Sequence, residues 1–155
     1  MKKHLRTLIF FLIFPFLSNG QVDSSAIFEK AKKQLSHPIQ GFTRLINYDS
    51  LKFKRDACIE YRNIYYAGKD CAVNAIFEGK VVSVFQLGDI FGIITKFGKY
   101  FIVYFGLTKP IIKKDDYVLK DQFLSTLMAD NDQEYELELR IVTEQKDFDP
   151  SWWIK

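Results

Sequence analysis

The stretch KFGKYFIVYFGL, residues 96–107, decides how this chain folds. Its centre, Tyr100-Phe101-Ile102-Val103-Tyr104, is apolar at alternate and intervening positions alike, which is how a strand covered on both faces reads. Upstream, Val81-Val82-Ser83-Val84-Phe85 repeats the pattern. Such strands sit between two sheets or inside a barrel. Turn signals separate one run from the next: Glu78-Gly79, Gly88-Asp89, Phe97-Gly98-Lys99, Lys109-Pro110 and Ala129-Asp130-Asn131-Asp132. From Phe42 to Asp70 the pattern is irregular and suggests loops and short strands. Before it, Asp23 to Ser36 reads as one helix. Asp23, Ser24 and Ser25 offer an N-cap, Ile27, Phe28, Ala31 and Leu35 share a face, and Pro38 ends it. Lys30, Lys32 and Lys33 form its solvated face.

Length and composition fit one globular domain. The chain has 155 residues, 48% of them hydrophobic and 26% charged, which excludes disordered and fibrous classes. Its formal charge of +3 comes from the first twenty residues. There Lys2, Lys3 and Arg6 precede the apolar run Leu8 to Leu17 and then Ser18-Asn19-Gly20. This is the layout of a signal peptide cleaved before Gln21. The run is shorter than the roughly 20 residues of a stable membrane span, although an uncleaved anchor or a buried helix is the alternative. Subtracting the three leader charges from 22 basic residues leaves 19, against 19 acidic. A neutral domain loses the excess of Lys and Arg that phosphate contacts need, so nucleic acid is not an expected partner. In an oxidising compartment Cys58 and Cys71 either pair, stabilising by about 3 kcal/mol, or remain two buried thiols. His37 is the one histidine outside the leader, so a zinc site built on the cysteines is not expected.

One strand carries a charged row. Tyr135, Leu137, Leu139 and Ile141 alternate with Glu134, Glu136, Glu138 and Arg140, and a period of two puts the charges on one face. A solvated sheet face is the plain reading of that row.

Val73-Asn74-Ala75-Ile76-Phe77-Glu78-Gly79-Lys80-Val81 resembles the V-x-A-x-x-x-G-x-V hairpin of lysostaphin-type (LytM-like) peptidoglycan metallopeptidases. Three more motifs follow in the family's order. Lys96 to Leu107 is similar to H-G-x-x-x-T-x-Y-x-x-L. Ile112 to Thr126, with Asp116, Val118 and Gln122, is similar to V-x-x-G-D-x-V-x-x-G-Q-x-I-G. Leu137 to Trp153 is similar to L-H-F-E-I followed by D-P-x-x-W, here Asp149-Pro150-Ser151-Trp152. Pro38-Ile39-Gln40-Gly41 resembles the segment that opens the family's domain. The resemblance implies a mainly β fold, a small two-sheet sandwich/barrel hybrid of the duplicated hybrid motif type with a groove, behind a short N-terminal helix. The expected organisation is a signal peptide over 1–20, a helical segment over 21–37 and the β domain over 38–155. Three turn glycines of the family are replaced by Asp115, Asp121 and Ser125, and Asp tolerates the left-handed conformation better than most residues. Of Trp152 and Trp153, one is expected to close the core while the other packs at the sheet edge or offers an exposed indole to a sugar or partner.

What the resemblance implies for the site is loss. Active members hold zinc with two histidines and an aspartate, and further histidines activate water. Here Glu136 and Glu138 stand at the H-x-H positions and Gly106 at the histidine of Y-x-H-L. Asp56 and Glu60 have the spacing of H-x-x-x-D. His37 lies before the first motif. Zinc and other cofactors are therefore not expected. An all-oxygen set of Asp56, Glu60 and Glu138 would suit Ca²⁺ or Mg²⁺ better, with Arg140 available to offset the like charges. The expectation is an exported, periplasmic or extracellular domain that is catalytically inactive and acts by binding peptidoglycan or a cell-wall hydrolase. The alternatives are a hydrolase working through the carboxylates, or an interaction module unrelated to peptidoglycan.

Overall fold

Two turns in left-handed glycine build the centre of the molecule. Gly88 (φ +60°) folds β4 (Gly79–Leu87) onto β5 (Ile90–Phe97), and Gly98 (φ +59°) folds β5 onto β6 (Tyr100–Leu107). The computed structural model describes residues 23–49, 60–130 and 132–155. The expected signal peptide, Asp56 and Cys58 lie outside them, and the Cys58–Cys71 pairing with them.

Outward from this meander, β9 (Glu136–Val142) adds to β6, β2 (Tyr61–Tyr66) to β9 and β1 (Arg44–Asp49) to β2. On the far side β7 (Tyr117–Val118) pairs with the start of β4, and β10 (Asp147–Phe148) pairs with β9. All pairings are antiparallel. A second sheet holds β3 (Ala72–Asn74) and β8 (Phe123–Thr126). The described residues are thus mainly β, with two sheets and one short α-helix among them, and neither sheet closes into a barrel. Among the described residues no helix is long and apolar enough to cross a membrane.

The core lies on one face of the large sheet. Val81, Ile93, Ile102, Tyr104, Leu137, Leu139 and Ile141 are buried there, together with Val73 and Leu124 of the small sheet. The sequence puts apolar residues on both faces of β6, and the structure uses the two faces differently. Ile102 and Tyr104 enter the core, while Val103 and Phe105 stay partly exposed on the opposite face. That second face is the floor of an open groove, not a seam against another sheet.

The helix is shorter than the sequence predicts. Asp23 caps it as expected, its carboxylate accepting from the Ser25 N–H at 3.0 Å, but α1 covers Ser24–Lys30 alone. Lys33 turns left-handed (φ 61°), and the next residues pair with the C-terminus. The Lys33 N–H bonds to the Trp152 carbonyl, that of Leu35 to Trp153, and that of Lys155 to Leu35. This tertiary pairing outcompetes one more helical turn, because it satisfies the same backbone groups while burying Leu35 and Trp153. Of the predicted apolar face, Phe28 and Leu35 are buried, whereas Ile27 remains 41% exposed. Phe28 stacks on Trp153, ring centroids 5.2 Å apart, and meets Tyr100 at 4.9 Å and Phe77 at 5.0 Å.

Asp115 (φ 77°) and Asp121 (φ 63°) do hold left-handed turns, at positions where the motifs that the sequence resembles have glycine. Ser125 is instead extended in β8, its hydroxyl donating to the Thr108 carbonyl at 2.9 Å.

Three buried phenols tie stability to alkaline pH. Burial raises the pKa of Tyr65 to about 12 and pushes those of Tyr100 and Tyr104 up as well; the Glu29 carboxylate that accepts from Tyr100 adds to its shift. Because the folded state disfavours the phenolate, this contribution is complete below the ordinary tyrosine value of 10 and is lost as pH rises through about 12. Tyr65 alone accounts for about 3 kcal/mol over that interval. A tyrosinate absorbance titration is expected to show these three of the eight tyrosines ionising only together with loss of β circular dichroism. Normal titration near pH 10 with the fold intact would refute the assignment.

Candidate functional site

The charged row of β9 is real and faces the groove side. Along the strand Leu137, Leu139 and Ile141 are buried while Glu136, Glu138 and Arg140 are half-buried on the other face. Strand register decides their neighbours. Phe85, Gly92, Phe105, Glu138 and Ile64 form one row across β4, β5, β6, β9 and β2, and Ser83, Ile94, Val103 and Arg140 form the next.

In the first row Phe85 and Phe105 stack almost parallel, centroids 5.8 Å apart at 6°. Gly92 between them makes this possible, since a Cβ there would stand 2.2 Å from Phe85 Cζ. The rings, with Leu87, Val103 and Val142, form the apolar side of a groove of about 470 Å³. Its other wall carries Glu138, Arg140, Asp147 and Thr143.

That wall is a set of ion pairs. Arg62 Nη1 donates to Glu138 Oε2 at 2.9 Å, and the same guanidinium lies 4.5 Å over the Tyr48 ring. Arg140 Nη2 donates to the Asp147 carboxylate. Desolvation opposes the charge of Arg140, but the bond to Asp147 and the fields of Asp147, Glu60 and Glu138 outweigh it and raise its already high value further. Glu60 lies near enough for its charge to act on Arg140. The Nε atoms of both arginines are buried without a hydrogen-bond partner among the described residues.

Glu136 goes elsewhere. It accepts from the Tyr66 phenol and gathers with Asp130 and Glu134, the carboxylate oxygens lying within 4.8 Å of one another. Asp130 Oδ1 is committed to the backbone N–H groups of Asp132 and Glu134 at 2.9 and 2.8 Å, so the trio closes the loop that leads into β9. Its place at the rim depends on one β-strand period, and Glu138 alone of the two H-x-H positions lines the groove.

Gly106 has no room for a side chain. Its φ is +112°, and a Cβ would come within 2.0 Å of the Glu136 carbonyl oxygen. His37 is remote from all of these in role: its Nδ1 meets Tyr65 Oη at 3.0 Å, and its ring packs on Phe42. Cys71 is half-buried beside Gly68. Trp153 closes the core, its Nε1 donating to the Phe28 carbonyl at 3.0 Å, and Trp152 remains 47% exposed beside it.

The described groove residues do not fit the family's zinc. Zinc takes histidine nitrogen, thiolate or carboxylate ligands in a tetrahedron, and no histidine or cysteine lines this groove. A dication beside Glu138 would also stand next to the Arg62 guanidinium, which already supplies the positive charge that carboxylate faces. What the arrangement can do is bind: a flat apolar floor orients a chain, and fixed charges along one wall set its register. Arg62 and Asp147 were not legible as site residues. Each becomes one only through strand pairing, Arg62 from β2 and Asp147 from the β9–β10 hairpin.

No protein-family model and no curated protein sequence matches the chain. Solved structures do. Csd3 of Helicobacter pylori superposes with a TM-score of 0.67 at 18% identity over 82% of this chain and 36% of that one. A chain of the SpoIIQ–SpoIIIAH pore-forming complex gives 0.58 at 12% identity, covering 81% of this chain and 92% of its own. The catalytic domain of the antimicrobial peptidase lysostaphin from Staphylococcus simulans gives 0.51 at 19%, covering 82% and 95%. The chain spans little more than a third of the Csd3 chains it matches. With the motif order and the groove, these likenesses give the chain the lysostaphin-type, LytM-like peptidase fold.

Proposed function

We propose that this chain is an exported, catalytically inactive relative of the peptidoglycan metallopeptidases that acts by binding in the cell envelope, to peptidoglycan or to a cell-wall hydrolase it regulates. One observation carries the reading: of the positions where the resemblance puts histidines, Glu138 is ion-paired with Arg62 and Gly106 has no space for a side chain, while Arg140–Asp147 completes the charged wall beside them. The groove itself is kept, with an aromatic floor suited to a sugar or peptide face. The leader of Lys2, Lys3, Arg6 and the apolar run that follows supports export. A chain of similar fold occurs in the SpoIIQ–SpoIIIAH pore-forming complex, which is consistent with a binding role.

Metal analysis of the purified protein and muropeptide release from isolated sacculi test the proposal together. Expected are substoichiometric zinc, no released fragments, and retention of the protein on sacculi or on a cell-wall hydrolase. Stoichiometric zinc with cleaved cross-links would overturn inactivity, and an activity abolished by Glu138→Gln would establish the carboxylate hydrolase instead. Retention on neither target would overturn the envelope role and leave a module that reuses the fold.

A further inference from the structure

A second groove lies at the outer edge of β4 and shares no lining residue with the first. β4 pairs with β7 only through Gly79 and Lys80. Val81 is the last residue so engaged, its N–H and C=O bonding to Asp116 and Asp115. Beyond it, Ser83 to Leu87 have a strand partner on the β5 side alone among the described residues, and Val82 is the extra residue of a bulge between Val81 and Ser83. Val82-Ser83-Val84-Phe85 contains neither charge nor proline. Edge strands are ordinarily protected by such residues, because unpaired N–H and C=O groups are a template for another strand.

The loop 109–114 stands across from this edge and closes a groove of about 440 Å³ over Val82, Val84 and Phe91. Lys109, Lys113 and Lys114 rim it, and Ile111, 88% exposed, stands beside them. None of the three lysines is ion-paired among the described residues. The neighbouring acids are committed elsewhere: Asp115 to Lys80 at 3.0 Å, and Asp116 Oδ2 to the Lys113 N–H at 2.8 Å. These lysines do not protect the edge by sitting on it. They belong to the opposite bank, where they meet whatever lies along the strand.

We infer that the outer edge of β4 is a strand-addition site for an extended acidic peptide segment of a partner protein. Main-chain bonds to Ser83–Leu87, where the strand is regular beyond the bulge at Val82, would give affinity. Apolar side chains at every second position would enter over Val82, Val84 and Phe91, and carboxylates would face Lys109, Lys113 and Lys114. The inference is independent of what the first groove binds.

Selection of the full chain against displayed short peptides of randomised sequence tests it. Enriched sequences are expected to alternate acidic with β-branched or aromatic residues. For the best peptide, K109E/K113E/K114E in the full chain is expected to weaken binding by about tenfold or more. Methylation of alternate peptide backbone nitrogens is expected to do the same, because it removes the main-chain donors. Circular dichroism controls for folding, which these exposed lysines do not support. Enrichment of basic or charge-independent sequences would overturn the inference, as would binding that survives backbone methylation. Lysine-dependent binding to phosphatidylglycerol vesicles with no acidic peptide enriched would identify a membrane surface instead and equally overturn it.

Discussion

Gly106→His is expected to destabilise the domain strongly, not to supply a working histidine at the position of the Y-x-H-L motif. The backbone at 106 has φ +112°, outside the region open to L side chains, and a Cβ there would lie 2.0 Å from the Glu136 carbonyl oxygen and 3.1 Å from its carbon. The obstacle is backbone, which has no rotamer to yield. Relief requires β6 and β9, neighbours at the centre of the large sheet, to separate. Strain and lost pairing together should cost more than about 3 kcal/mol, a large share of a stability of roughly 5–15 kcal/mol. Since the Cβ is the cause, Gly106→Ala should lose nearly as much. Urea denaturation of both variants measures this, and wild-type midpoints for either would show that the strands part easily. Position 106, where the motif that the sequence resembles has histidine, takes no side chain unless β6 and β9 part.

Trp153→Ala is expected to cost about 3–5 kcal/mol. The indole is fully buried, stacks on Phe28 at 5.2 Å, and meets Tyr100 and Phe148 at 5.8 Å each. Its loss also removes the donor to the Phe28 carbonyl. Both N- and C-terminal segments would loosen, because Leu35 pairs with this stretch through Trp153 and Lys155. Trp152→Ala provides the contrast. That side chain is 47% exposed and lies under the Lys32 ammonium at 6.0 Å, so its removal should cost under about 1 kcal/mol. Equal costs for the two in thermal or urea unfolding would refute the division of roles.

Several of these features were readable from composition and spacing. The meander of β4, β5 and β6 follows from apolar runs parted by Gly88-Asp89 and Phe97-Gly98-Lys99. The alternation from Glu136 to Arg140 places the charges on one face because strand geometry has a period of two. Asp115 and Asp121 at glycine positions announce left-handed turns, and the structure has them. The end of the helix was not readable. Nothing local stops it at Lys30; pairing with Trp152, Trp153 and Lys155 does, and those residues are more than a hundred positions away.

The candidate site divides along the same line. By itself the sequence gives the residues that stand at the histidine positions of the motifs it resembles, since motif order and spacing are one-dimensional facts. Only the tertiary structure decided what those positions do. Antiparallel pairing of β2 with β9 brings Arg62 to Glu138, and the β9–β10 hairpin brings Asp147 to Arg140. The same pairing leaves Glu136 on the loop side and Gly106 with no space. Charge neutralisation and steric closure depend on atoms within a few ångströms, and only strand register sets which residues come that close.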